Sequence, residues 1–267
     1  MAKLNDVFAA LDAAAPKALS DEYCQRFGAY DNSGVLLSPA GEVTGAVFAL
    51  DLTDMAIDLA QRLSYNLIVT HHPAIYQKLG CLCEDDALSK KVLRCARLGI
   101  GVVSLHLNLD CANGGVDESL ALAVCKVTGK NQLEAELMDR VGGKEGYGRA
   151  YDVNETDAKT LFEGLKTELG ANNVYLFDAG KKIRRVASFC GAGADESSVK
   201  FALSQGADAV VSSDFKHHIL LALVEAGISV IAPTHHATEE YGFRKFYEKI
   251  SQSLGVCCAF CADERLL

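Results

Sequence analysis

The seven histidines of this chain fall in four short segments: Thr70-His71-His72-Pro73, His106-Leu107-Asn108-Leu109-Asp110, Lys216-His217-His218 and Thr234-His235-His236-Ala237-Thr238-Glu239. Neutral imidazole mixed with carboxylate is a donor set for divalent transition metals. The clustering points to a polynuclear metal site. Each segment also has an ordinary structural explanation. A His-His pair after a strand serves equally as a turn or a local hydrogen-bonding pair. His235-x-x-x-Glu239 puts two donors on one helical face if a helix starts near Thr234. The same residues also read as a capped helix start, with Thr234 as the cap and Glu239 and Glu240 near the positive helix end. His217 and His218 read first as a partly exposed pair one turn inside a helix, and rank second with Asp214. His236 reads as a substrate contact or as a polar residue on the outer side of its helix. Taken together, at matching positions of two similar units, the segments favour metal.

The elements that must position these residues follow from the apolar pattern. Strands are predicted at 46–51, 67–70 and 101–106, with helices at 54–63, 85–98 and 115–128. The second half repeats the scheme, with strands at 185–190, 209–213 and 229–232 and helices at 196–205, 215–226 and 235–254. Continuous apolar strands separated by helices predict an α/β fold with mixed sheets covered on both faces. Arg97-Leu98-Gly99-Ile100-Gly101-Val102-Val103-Ser104-Leu105-His106 followed by Asp110 aligns with Glu225-Ala226-Gly227-Ile228-Ser229-Val230-Ile231-Ala232-Pro233-Thr234-His235 followed by Glu239. Both read as strand, histidine, three residues, carboxylate, so we read an internal duplication. The division is 1–128 and 129–267. Within the second part, 129–180 is a crossover or insertion with strands near 147–153 and 174–177 and a helix at 156–169. Ligands in open α/β sheets collect past the carboxyl ends of strands, and every histidine segment except His217-His218 lies at such an end.

Composition narrows the function classes. A formal net charge of −9 argues against non-specific nucleic-acid binding, which needs a basic surface. No apolar run reaches the length of a membrane span, and the N-terminus lacks a signal-peptide apolar region, so the cytoplasm is the expected compartment. Ten cysteines without an export signal read as reduced thiols, mostly buried structural ones, and the lone pair Cys258/Cys261 lacks the second pair of a zinc ribbon. No phosphate loop is present. Gly191-Ala192-Gly193 lacks the third glycine of a dinucleotide fingerprint but suits close backbone approach by a ligand. Carboxylates can bridge two cations, and histidine-carboxylate mixtures favour zinc, iron, manganese or cobalt over magnesium or calcium.

The motifs Asp31-Asn32-Ser33-Gly34, Thr70-His71-His72-Pro73, His106-x-Asn108-x-Asp110, Gly115-Val116-Asp117, Cys190-Gly191-Ala192-Gly193 and His235-x-x-Thr238-Glu239-x-x-Gly242 together resemble the Nif-three-like family of dinuclear-metal proteins. Its members also carry the name GTP cyclohydrolase I type 2. The resemblance runs from about Asp31 to the C-terminus and matches the family's short form. It implies two intertwined, topologically similar α/β repeats with the metal site between them. It also implies two divalent metal ions held by His71, His72, Asp110, His235 and Glu239, with His106 nearby either moving protons or supporting the ligands, and a toroidal homohexamer. Two departures bear on substrate preference: Ser212-Ser213-Asp214 replaces a common Thr-Gly-Glu, and Thr234-His235-His236 replaces Gly-His-Tyr. The implied activity is metal-dependent hydrolysis of a small nucleotide-like substrate, with GTP a candidate and formate released as the imidazole ring opens. A non-catalytic metal carrier or scaffold is the alternative.

Overall fold

A computed structural model describes residues 1–267. The chain forms two compact units. One comprises Met1–Ala112 and Phe243–Asp263, the other Asn113–Gly242 and Glu264–Leu267.

The first unit opens with helices α1 (Leu4–Ala14) and α2 (Lys17–Phe27), then strands β1 (Gly34–Leu37) and β2 (Gly45–Ala49). Helix α3 (Asp54–Leu63), strand β3 (Leu67–Thr70), helix α4 (Ala87–Leu98), strand β4 (Gly101–Ser104) and the short helix α5 (Leu107–Cys111) follow. Strands β2, β3 and β4 are parallel, and all are fully buried runs of small and branched residues. Burial on both faces explains why they read as continuous apolar stretches rather than alternating ones. The intervening helices start and stop on local chemistry. Thr53 Oγ1 accepts from the Ala56 amide at 3.1 Å to cap α3, and an Asp86 carboxylate oxygen accepts from the Ser89 amide at 2.7 Å to cap α4. Helix α4 ends on Gly99 at φ +67°, a left-handed stop that favours glycine.

The second unit begins with helix α6 (Val116–Val127), the hairpin strands β5 (Ala135–Arg140) and β6 (Gly146–Thr156), helix α7 (Ala158–Glu168) and strand β7 (Val174–Phe177). Strand β8 (Ile183–Ser188), helix α8 (Glu196–Ser204), strand β9 (Ala209–Val211), helix α9 (His217–Glu225) and strand β10 (Ser229–Pro233) lead into helix α10 (His235–Ile250). Asp195 and Ser198 form a reciprocal capping box at the start of α8. Helix α10 begins in the second unit and ends in the first, which strand β11 (Cys257–Phe260) completes by pairing in parallel with β2. The chain closes with a 3-10 turn, Glu264–Leu266.

Both sheets are mixed and flanked by helices. The first has the order β1-β4-β3-β2-β11, the second β5-β6-β8-β9-β10-β7. In each, three consecutive strands run parallel and a fourth pairs antiparallel with the last of them: β1 with β4, and β7 with β10. The runs β1-β4-β3-β2 and β7-β10-β9-β8 therefore share one topology, as the aligned sequence segments predict.

Three sequence expectations change here. Helix α9 starts at His217 because Lys216 is still extended, at φ −65° and ψ 145°. His217 and His218 are therefore exposed at a helix start rather than one turn inside it. His236 does not lie on an outer face: it is buried, and its Nε2 meets Glu240 Oε2, also buried, at 2.7 Å. The cysteines are mixed. Cys95, Cys111, Cys125, Cys190 and Cys261 are buried, whereas Cys81, Cys83 and Cys257 are exposed and Cys24 and Cys258 are half-buried. Cys257 lies on β11, an edge strand bonded on one side only, so its apolar surroundings in sequence do not bury it.

Candidate metal centre

In the first unit, parallel strands deliver the donors. The chain leaves β3 at Thr70, and the amides of His71 and His72 both donate to Leu50 O, at 3.2 and 3.0 Å. The next strand ends at Ser104, whose hydroxyl meets that of Thr70 at 2.7 Å. Two residues on is His106, which precedes the single turn of α5. This turn puts Asp110 four residues later, with its amide bonded to His106 O at 2.9 Å. His71, His72 and His106 each offer a ring nitrogen within 4.8 Å of the other two. Asp110 Oδ1 stands 3.4 Å from His71 Nε2, and both residues are buried.

The other ring nitrogens are all anchored on oxygen. His71 Nδ1 donates to Leu105 O at 2.8 Å, His72 Nδ1 to Asp51 Oδ1 at 2.8 Å, and His106 Nδ1 to Asp31 Oδ1 at 2.8 Å. Asp31 is itself held. It accepts from Ser20 Oγ at 2.5 Å and Ser33 Oγ at 2.6 Å, and Ser33 Oγ in turn accepts the His106 amide at 3.0 Å. Burial pushes the Asp31 carboxyl up, but the His106 hydrogen bond and charge and the two hydroxyls outweigh it and hold the carboxyl well below the usual carboxylate range.

In the second unit, Thr234 Oγ1 accepts from the Ala237 amide at 3.1 Å and starts α10, as the capping reading expects. The same helix turn brings His235 Nε2 to 3.0 Å from Glu239 Oε2. The capped helix start is thus compatible with the ligand reading of this segment. His235 Nδ1 is anchored on Asp214 Oδ2 at 2.6 Å. Asp214 sits at φ +52°, a left-handed conformation a non-glycine residue rarely adopts. The turn after β8 packs against this pair. A Cβ on Gly191, itself at φ +57°, would fall 2.0 Å from Glu239 Oε1 and 3.1 Å from His235 Nε2. Only glycine leaves that space open. The turn is fixed from several sides. The Gly191 amide donates to Thr238 Oγ1 at 3.0 Å, Ser213 Oγ donates to Gly191 O at 2.5 Å, and the Cys190 amide donates to Asp117 Oδ1 at 3.3 Å. Asp117 is fully buried and also accepts from Arg149 Nη1.

Thus four imidazoles show one pattern, with each Nδ1 held on a carbonyl or carboxylate oxygen. Second-sphere oxygens orient metal-ligating histidines in the same way. For His71 and His235 the other ring nitrogen, Nε2, faces a carboxylate oxygen at 3.4 and 3.0 Å. Such pairs are favourable only with a cation or a proton between them. The donor set therefore fits a divalent metal. Asp51 and Asp31 as anchors have no local sequence signal, since their partners lie 21 and 75 residues away. Asp214, ranked second from sequence, proves to be an anchor. His217 and His218 take no part in either cluster, and His218 instead meets Glu196 at 3.1 Å.

The family model described as Duf34/NIF3 (NGG1p interacting factor 3) matches residues 2–264. A Clostridium perfringens protein named "GTP cyclohydrolase 1 type 2 homolog" is 27% identical over 257 residues, covering 94% of this chain and 92% of that protein. Two solved structures share the fold. One is a hypothetical protein of Staphylococcus aureus, with TM-score 0.82, 22% identity and coverage of 98% and 97% of the two chains. The other is a Bacillus cereus protein related to NIF3, with TM-score 0.77, 19% identity and coverage of 97% and 96%. No helix is long and apolar enough to cross a membrane. The chain belongs to the Duf34/NIF3 family.

Proposed function

We propose that this protein is a dinuclear metal-dependent hydrolase of a nucleotide-like substrate, with His71, His72, Asp110, His235 and Glu239 as ligands. The observation that carries this reading is the approach of imidazole Nε2 atoms to carboxylate oxygens, each imidazole locked from behind by an oxygen on Nδ1. One ligand set, His71, His72 and Asp110, belongs to the first unit, and the other, His235 and Glu239, to the second. In our reading they close on the same two cations.

Two divalent cations, when bound, supply Lewis acidity and a water acidic enough to act as a nucleophile near neutral pH. The protein's own contribution is to orient and to move a proton. Asp51, Asp214 and the Leu105 carbonyl fix the planes of the ligating rings. His106 is held by Asp31 on Nδ1 and presents Nε2 beside His71 and His72, where it can accept and return a proton during ring opening. Gly191 keeps the space before Glu239 clear.

The test is turnover. Metal-loaded protein incubated with GTP should release formate, and Glu239→Ala should not. Absence of formate above blank from the wild type, with metal bound, would remove the cyclohydrolase reading and leave the metal carrier or scaffold. The family resemblance further implies a homohexamer, which light scattering would register as about six times the 28.5 kDa chain mass.

A further inference from the structure

Beside the imidazoles of the first unit stand two exposed tyrosines that serve no core. Tyr30 and Tyr76 are 49% and 42% exposed, and they come from separate loops, one before β1 and one after Pro73. The loops are tied together. Tyr76 Oη donates to Tyr30 O at 2.9 Å, and Asn32 Nδ2 donates to Ile75 O at 2.6 Å. The Tyr76 ring stands at 87° to Tyr30 with centroids 5.4 Å apart, and at 85° to His106 with centroids 6.1 Å apart. His106 in turn lies 5.3 Å from His71 and 5.8 Å from His72, ring to ring. Tyr76 and His106 therefore form the two walls of a right-angled aromatic corner whose far side is the imidazole cluster.

A flat ring laid against one wall of such a corner meets the other wall with its edge. Offset stacking and edge-to-face contact are the two preferred aromatic geometries, and the corner offers both at once. A saturated sugar or an aliphatic chain would use neither. We infer that Tyr76, with Tyr30 behind it, is the stacking platform for a planar fused heteroaromatic ring, and that it turns the edge of that ring toward His106 and the ligand histidines. This rests on the hydrolase reading above and refines it. The substrate is recognised ring first, and an edge carbon, not a phosphate, is what the platform delivers. Burial and the neighbouring Asp31 carboxylate push the Tyr76 phenol up, so its hydroxyl stays protonated and keeps its bond to Tyr30 O.

The experiment uses metal-loaded full-length protein with inosine and GTP as ring-bearing probes and ribose 5-phosphate as the ringless one. Affinities come from ligand-observed NMR, and metal content is measured on the same samples. Tyr76→Ala should weaken inosine and GTP by about 5- to 150-fold, the usual range for removing a base-stacking aromatic. It should leave ribose 5-phosphate and the metal content unchanged. Tyr76→Phe should stay within about twofold of wild type for both ring probes, because the face is kept. Inosine binding unchanged in Tyr76→Ala, an equal loss for ribose 5-phosphate, or no ring binding by the wild type would overturn the platform. So would loss of metal in Tyr76→Ala, which would make Tyr76 a support for His106. A wild type that binds inosine through Tyr76 yet holds no metal would instead refute the metal reading and leave the platform standing.

Discussion

At the scale of single residues, the account turns on oxygen atoms behind imidazoles. Asp51 and Asp214 hold the Nδ1 nitrogens of His72 and His235. Anchors of this kind typically cost about 10- to 100-fold in metal affinity when removed. Asp51→Asn and Asp214→Asn should each weaken zinc by that factor in calorimetric titration, with the fold intact by circular dichroism. Affinity equal to wild type in both would contradict the anchoring role. Asp31 gives a pH signature in metal-free protein. A carboxyl held low in the folded state contributes stability that is fully present above its ordinary value of 3.8 and is lost as pH falls below it toward the folded value. Urea midpoints of wild type should therefore drop more between about pH 5 and pH 3 than those of Asp31→Asn. Equal slopes would count against the Asp31–His106 bond. The ligand candidates themselves were legible as residue types at strand ends. Asp31 appeared only as part of a family motif and Asp51 not at all, because hydrogen bonds across 75 and 21 residues leave no periodicity to read.

Elements set what those residues can do. The parallel strands β2–β4 and β8–β10 were plain in the sequence because each is a short, continuous apolar run between helix caps. Helix α1 went unpredicted, and several other missed elements had weak local signals. Helix α5 is a single turn, α2 is largely polar and exposed, and β11 is recognisable only through its pairing with β2. The turn after β8 is where element and site meet. Gly191→Ala would place a methyl 2.0 Å from a Glu239 carboxylate oxygen, and would do so at positive φ. That variant should lose at least one metal per chain by mass spectrometry and should melt below wild type in the metal-free form. Full metal content would show that the turn does not border the coordination space.

For the whole molecule, the repeated topology explains why donors of the same kind recur two residues or so past matching strands. Burial sorts the thiols. Burial pushes Cys95 and Cys125 up to about 11, whereas Cys81, Cys83 and Cys257 are exposed. A thiol reagent at pH 8 should label the exposed three within minutes and reach Cys95 and Cys125 only after denaturation. Fast labelling of Cys125 in the native protein would contradict the packing of α6.

The claim beneath all of this is that donors from both units grip one pair of cations. Metal content after dialysis against excess zinc, on wild type, His71→Ala and Glu239→Ala, addresses it most directly. The account predicts two cations per chain in the wild type and a loss in each variant, although the two substitutions lie in different units. Two cations retained in Glu239→Ala, or none in wild type, would contradict it.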